Sequence, residues 1–249
     1  SYEIKEITSN MPVVQAAGDL AALHYESTFR DNDLDSFHNF QDNDYINFFV
    51  LPGDTVMLWM IWDQPWDAAL TDLSMTIWEE VTKDPIKQSL ITQGNGMGDP
   101  KESLFWKNTD TENILYRIFV QNLNQGPSPD FHLYLLPRTN PGLVFHPTEL
   151  IPDSAKGQLS PEGSLPSLAD ISSFITVGSV NPYSKTIRPY SCRGPAIFNA
   201  KNPNMVGMDG VVIDQELGEI FGSTVAASFV TAAVAVIREA YPSSAPVQI

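Results

Sequence analysis

The sequence predicts an α/β protein, a partial parallel sheet with helices, into which an antiparallel β-sandwich is inserted. Three observations predict it. Apolar strand-like runs beside helical periodicity stand near both ends of the chain. Aromatic, alternating segments separated by turn residues fill the middle. A connection rich in proline, serine and glycine follows them, and the α/β pattern then returns. The segments implied are residues 1–24 (α/β), 25–147 (inserted β-sandwich) and 148–249 (α/β).

Each element has its own reason. Ile4, Ile7 and Met11 recur at helical spacing until Pro12 stops the pattern, and "VVQAAGD" (13–19) reads as a short buried strand. A helix leading into such a strand is typical of the middle of an α/β domain. Between about 25 and 136 the segments "YINFFVLPGDTVMLWMIW", "DLSMTIWEE", "NILYRIFVQNL" and "DFHLYLLP" alternate or are rich in aromatic residues. "LPGD" (51–54) and "NQGPSPD" (124–130) supply turns between them. All five tryptophans, Trp59, Trp62, Trp66, Trp78 and Trp106, fall in this block and are expected to pack in its core and across strands. After the connection of 138–167, "FITVGSV" (174–180) and "GVVI" (210–213) read as buried strands. The strands around Val14, Val177 and Val212 are expected in one layer. A helix from about 224 to 241, "TVAASFVTAAVAVIREAY", is apolar nearly all round and is expected in the middle of its domain.

Composition narrows the function classes. The 249 residues are 43% hydrophobic and 18% charged, a globular balance with ample material for a core. Thirty acidic against fourteen basic residues give a net charge of −16, which repels duplex nucleic acid and anionic membrane surfaces. No apolar run approaches the roughly twenty residues of a bilayer span. Ser1–Asn10 is polar and amphipathic and does not read as a signal peptide. A single cysteine, Cys192, excludes an internal disulfide and, with four histidines, argues against a structural zinc cage. Neither nucleic acid nor membrane is expected as a partner.

The head of the helix, Gly222-Ser223-Thr224, admits two readings. A hydroxyl there can cap the helix, for which Ser and Thr are the usual choice. It can also act as a nucleophile, because helix N–H groups and the positive end of the dipole lie where an oxyanion would develop. The surrounding motifs bear on the choice. "VVQAAGD", "ITVGSVNP", "RPYSCRGP", "KNPNMVGMDGVVI" and "FGSTVAASFVTAAVAVI" resemble, in this order, the C-terminal half of a subtilisin-like serine peptidase. The resemblance covers about residues 1–20 and 165–242.

The resemblance implies a subtilisin-like sheet and places Thr224 on the nucleophile, with Ser223 beside it, and Asp19 on the asparagine that helps form the oxyanion hole. Both positions are altered. Ser228 and Phe229 stand where the family carries Pro and His, and Cys192 where it carries a second Ser, while Arg193, Gly194 and Pro195 are kept. Threonine brings an extra methyl, and an aspartate repels a developing oxyanion where an amide N–H would stabilise it by about 3 kcal/mol. The family's Asp-x-Gly and His-Gly-Thr-His motifs are missing from this sequence. His24, His38, His132 and His146 lie in or beside the middle block and read as surface or packing residues. The middle block itself resembles the jelly-roll-type sandwich of pre-peptidase C-terminal domains.

"DNDLD" (31–35) and "DND" (42–44) offer hard oxygen ligands, so Asp31, Asp33 and Asp35 are Ca²⁺ candidates against a default of solvated loops. Their spacing lacks the Gly and closing Glu of an EF-hand. "GNGMGD" (94–99) has no phosphate-binding context and reads as a loop. Cys192 reads as a buried thiol. Together these features favour a degenerate, inactive subtilisin-like peptidase homologue that acts by binding or by completing a fold. The alternatives are a piece of an active endopeptidase whose Asp and His lie upstream, and a non-enzymatic sandwich module. A subtilase sheet without its first strands would expose an apolar edge, so a second protomer or the N-terminal half of a subtilase domain is the expected partner, with a peptide or protein as a further candidate ligand. No cofactor is expected beyond Ca²⁺ at the acidic loops, and the resemblance implies a secreted or extracellular setting.

Overall fold

A computed structural model of the chain describes residues 11–41, 43–89, 91–111, 114–138, 159–166, 168–195, 202–214 and 218–243. The helix expected at 4–11 and most of the connection after 138 lie outside these residues. In chain order the strands are β1 (Val14–Ala16), β2 (His24–Thr28), β3 (Ile46–Val50), β4 (Thr55–Trp62), β5 (Leu73–Glu79), β6 (Pro85–Gln88) and β7 (Lys101–Lys107). They continue as β8 (Ile114–Asn122), β9 (Asp130–Arg138), β10 (Ile175–Val180), β11 (Met205–Met208), β12 (Val211–Asp214) and β13 (Gly218–Ile220). One α-helix, α1 (Ser223–Ala240), stands among the described residues.

This corrects the expected fold class. The chain is predominantly β and mostly antiparallel rather than a helix-rich α/β arrangement, although one parallel sheet is present. The physical reason lies in the later third of the sequence. Between β10 and α1 the links carry Pro182, Pro189, Pro195 and Pro203, which interrupt any helical run, and only 223–240 combines helical periodicity with freedom from Gly and Pro.

The chain divides into two compact units, 1–22 with 161–249, and 23–160. In the first, β1, β10 and β11 form a parallel sheet with β10 at its centre, pairing Val14 with Ile175 and Val177 with Met205. The "GVVI" strand is not part of it. β12 pairs with β13 in a separate antiparallel hairpin, and the third parallel strand is Met205–Met208. A four-residue apolar run has no periodicity that separates a sheet interior from a hairpin.

Helix α1 buries Ser223, Ala226, Ala227 and Val234, one stripe at three- and four-residue spacing, with Ala226 and Ala227 packed near Val177, Val14 and Ile175. Gly207 of β11 makes the close approach: a Cβ there would stand 2.5 Å from the Ala226 carbonyl oxygen. Much of the remaining helix surface, Phe229, Val236 and Ile237 included, is apolar yet exposed, so the expectation of a helix in the middle of its domain does not hold. Its 18 residues, with a mean hydropathy of 1.3, would also satisfy the length and composition of a membrane span, and most of them are not buried.

In the second unit two four-stranded antiparallel sheets, ordered β2-β9-β4-β7 and β3-β8-β5-β6, draw on every second residue for a shared core. Phe48, Leu58, Met60, Trp62, Met75, Ile118 and Phe131 are all essentially inaccessible. Burying each such side chain is worth roughly 1.5–3 kcal/mol. Of the five tryptophans, Trp62 is fully buried and Trp106 packs on the core, while Trp66 is exposed with the Lys101 ammonium 5.1 Å from its ring centre.

Candidate functional site at the helix head

The loop that follows β1 clasps the start of α1. Gly18 N–H donates to Ser223 Oγ at 3.0 Å, and Ser223 N–H donates to Asp19 Oδ1 at 2.8 Å. The loop is held in turn by Cys192, whose N–H donates to the Gly18 carbonyl at 2.9 Å and whose Sγ accepts from Leu20 N–H at 3.2 Å. One residue before the helix, Gly222 N–H donates to Asp209 Oδ2 at 3.2 Å. Asp209 is buried and also takes Arg188 Nε at 2.6 Å and a short hydrogen bond from the Tyr190 hydroxyl. Gly222 sits at φ 125, and a Cβ there would stand 2.9 Å from Asp19 Oδ2, so only glycine suits the junction.

Two carboxylates therefore take the Gly222 and Ser223 N–H groups at the positive end of the helix dipole. Burial pushes the Asp19 carboxyl up from its ordinary range, the hydrogen bonds of Ser223 pull it back, and the negative charge of Asp209 adds to the rise. Burial also raises the Tyr190 phenol, with Asp209 adding to the effect. The Cys192 thiol is pushed up to about 11, chiefly by burial, which fits a buried thiol and not an activated nucleophile.

Ser223 and Asp19 are thus brought together, with Ser223 fully buried. Thr224 is exposed as the second residue of the helix, and no side-chain hydrogen bond caps α1 from within its own first turn. The hydroxyl of Thr224 is not the cap. Asp19, 204 residues away in sequence, supplies it. Asp209 is a site residue that the motif reading passed over, although "GMDG" marks a polar residue closing a strand next to the helix head.

The remaining candidates lie in the second unit. Asp31, Asp33 and Asp35 bring one carboxylate oxygen each to within 4.8 Å of one another. Asp31 already accepts from the Asp35 and Ser36 N–H groups, both at 3.0 Å, and Asp35 from Phe37 N–H at 2.8 Å, so backbone donors use part of this set. Asp31 and Ser36 also line a groove of about 430 Å³ with Phe29, Asn122 and Ser128. Asp42 and His146 lie outside the described residues. His24, His38 and His132 are buried, the packing alternative of the two expected for them, and no histidine occurs in residues 1–22 or 161–249. No sequence signal announced that His24 and His132 meet, since they are 108 residues apart.

No protein-family model matches the chain, and no curated protein matches it. Among solved structures, the CspB protease of Clostridium perfringens superposes with a TM-score of 0.56 at 15% identity, covering 95% of this chain and 51% of that one. The chain spans about half the length of that protease. At this identity the likeness concerns fold alone, and it identifies the fold as similar to that of a subtilisin-like protease.

Proposed function

We propose that this chain is a subtilisin-like peptidase homologue without hydrolytic chemistry of its own, which acts by binding through the unit that carries α1. One observation carries the reading: the apolar surface left exposed around the helix. On the helix itself Val236 is 66% accessible, and Phe229 and Ile237 are exposed as well. Val211, Val225, Phe229 and Ala232 line a groove of about 300 Å³ on this surface. Soluble monomers rarely leave apolar patches larger than a few hundred Å² open, and such patches mark contact surfaces. The partner is a second copy of this chain or a complementary N-terminal half of a subtilase domain.

The site chemistry supports the absence of hydrolysis. A hydroxyl needs a base to become a nucleophile, and this unit contains no imidazole in its sequence. Asp19 adds negative charge where an oxyanion would need a donor. Light scattering of the full chain is expected to show a dimer, or a monomer with a dye-accessible patch, and Val236→Asp is expected to abolish either. A monodisperse monomer that binds no dye would overturn the binding reading. A fluorophosphonate probe is expected to leave the chain unlabelled, including Thr224→Ser and Thr224→Ser with Asp19→Asn, because triad members act as a unit. Labelling at Thr224 that Thr224→Ala abolishes would instead establish a working threonine nucleophile.

A further inference from the structure

We propose that His24, Glu26 and His132 form a divalent transition-metal site, of the kind that zinc occupies, and that it clips the edge strand β2 to β9. The site lies within residues 23–160 and is independent of the reading of the helix head. In its sheet β2 pairs only with β9, and the register sets His24 opposite Tyr134 and Glu26 opposite His132. Residues two apart share a face of a strand, so His24, Glu26 and His132 all project from the same face. One ligand atom from each lies within 4.8 Å of the others.

The spacing of the two imidazole nitrogens is close to that of a metal pair. His24 Nε2 and His132 Nδ1 stand 3.0 Å apart. Two nitrogens bound to a tetrahedral zinc at about 2.0–2.1 Å stand roughly 3.3 Å apart, so the ion enters when the nitrogens part by a few tenths of an ångström and the rings tilt off their shared hydrogen-bond line. The orientation of His24 is already fixed. Its Nδ1 lies 2.7 Å from the Ser160 carbonyl oxygen, which can only accept, so Nδ1 carries the hydrogen and Nε2 presents its lone pair toward His132. A ligating histidine is held in this way in most metal sites, its second nitrogen donating to a carbonyl or carboxylate. The Tyr134 ring, 4.8 Å from that of His24, and Trp59 stacked on Tyr134 shield the pair from one side.

The donor set, two imidazoles and one carboxylate, is one that zinc accepts, with the fourth position left to water. Access comes from the side of Glu26, which is exposed while both imidazoles are buried. Before the ion enters, His132 Nδ1–H donates to His24 Nε2. For His132 to ligate through Nδ1 that hydrogen must leave the nitrogen, so zinc binding is expected to weaken as pH falls. The ion joins residues far apart in sequence, and its binding energy adds to the stability of the folded state.

The test titrates zinc into the chelator-treated full chain against a chromophoric chelator, with X-ray absorption at the zinc edge and melting temperature followed in parallel. Expected are one zinc per chain, two imidazole donors in the absorption spectrum, and a melting temperature that rises with zinc. Replacing the buried His24 risks unfolding, so the exposed ligand carries the comparison. Glu26→Gln is expected to keep the fold and weaken zinc binding at least tenfold, and His132→Gln to weaken it further and remove the thermal response. Absence of zinc binding by the unmodified chain would overturn the proposal. So would unchanged affinity in Glu26→Gln, which would put the ion elsewhere, such as the loop of Asp31, Asp33 and Asp35.

Discussion

The two units solve the problem of burial differently. In residues 23–160 both sheets turn large side chains into one core, from Phe40 and Phe48 to Tyr116 and Phe131. In residues 1–22 with 161–249 the buried clusters are built of small residues, Ala17, Leu165, Ala169 and Cys192 in one and Val177, Ala226 and Ala227 in the other. The large apolar side chains of that unit, Phe229, Val236, Ile237 and Met205, remain exposed. Hydrophobic stabilisation follows the area removed from water. The first arrangement is therefore self-sufficient, whereas the second depends on polar clasps and leaves its apolar surface available for contact.

The largest effect should separate the units directly. Phe131→Ala removes a fully buried ring from the two-sheet core and is expected to cost about 3–5 kcal/mol in chemical denaturation. Phe229→Ala, in an exposed ring on α1, is expected to stay within about 0.5 kcal/mol in the isolated chain. A comparable loss at Phe229 that grows with protein concentration would show that the ring is buried in a partner.

Acidity sharpens the comparison, because the buried polar groups of the two-sheet unit titrate in opposite senses. His38 accepts Arg30 N–H on Nδ1 at 2.9 Å and so carries its hydrogen on Nε2, 2.8 Å from the Tyr25 hydroxyl. Burial, then the charge of Arg30, lowers its pKa from 6.5 to about 4. The unfolded chain then binds more protons than the folded one between those values. The contribution is complete above 6.5 and is lost as pH falls toward 4, a change on the order of 3 kcal/mol. Glu102, buried against Gln93, is raised to about 7, mainly by burial, and behaves inversely. Its contribution is complete below 4.5 and is lost as pH rises through 7. Glu102→Gln should therefore gain on the order of 1–3 kcal/mol at pH 8 relative to pH 4, measured as the difference between two denaturation series. A pH profile unchanged by this substitution would refute the assignment.

These contrasts also explain what the sequence made legible. The aromatic, nearly unbroken apolar runs "INFFV" and "TVMLWMIW", bounded by turn residues, revealed β3 and β4, and the period 2 of a strand shows only in their burial. The parallel partnership of Val14–Ala16 with Ile175–Val180 followed from matching apolar runs on either side of the middle block. The third parallel strand was hidden, because "MVGM" is only four residues long with a glycine inside it, too short for any periodicity to mark it as a strand. The one-sided burial of α1 was hidden too, since an all-apolar helix carries no record of which face meets the sheet. At the site, Ser223 and Thr224 were visible as a helix start, but the capping carboxylate was not. Local pattern reads neighbours within a few residues, and Asp19 reaches the helix only through the tertiary fold.

The junction between β1 and α1 should respond next in size. Gly222→Ala places a Cβ 2.9 Å from Asp19 Oδ2 at a φ that non-glycine residues rarely adopt. A loss of about 1–3 kcal/mol is expected from this strain. The loss should appear in the unit that carries α1, read as faster hydrogen exchange in the helix, while exchange in β4 and β9 stays unchanged. Equal acceleration in both would mean that the two units unfold together.

The smallest expected effect tests the cap itself, through two substitutions a few ångströms apart. Asp19 Oδ1 accepts Ser223 N–H, so Asp19→Ala removes a partner from the first turn and should cost about 1 kcal/mol, the usual size of a lost cap. Burial and the charge of Asp209 both raise the Asp19 pKa, so that contribution declines as pH rises above the ordinary carboxylate range. The cost of Asp19→Ala should accordingly be greater near pH 4 than at pH 8. Thr224 is exposed and its hydroxyl caps nothing, so Thr224→Ala should change stability by less than about 0.5 kcal/mol at either pH. If the threonine change proved the costlier of the two, the cap would belong to the helix's own first turn and the clasp by Asp19 would contribute little. The order of the two losses, more than either magnitude, decides which residue holds the helix head.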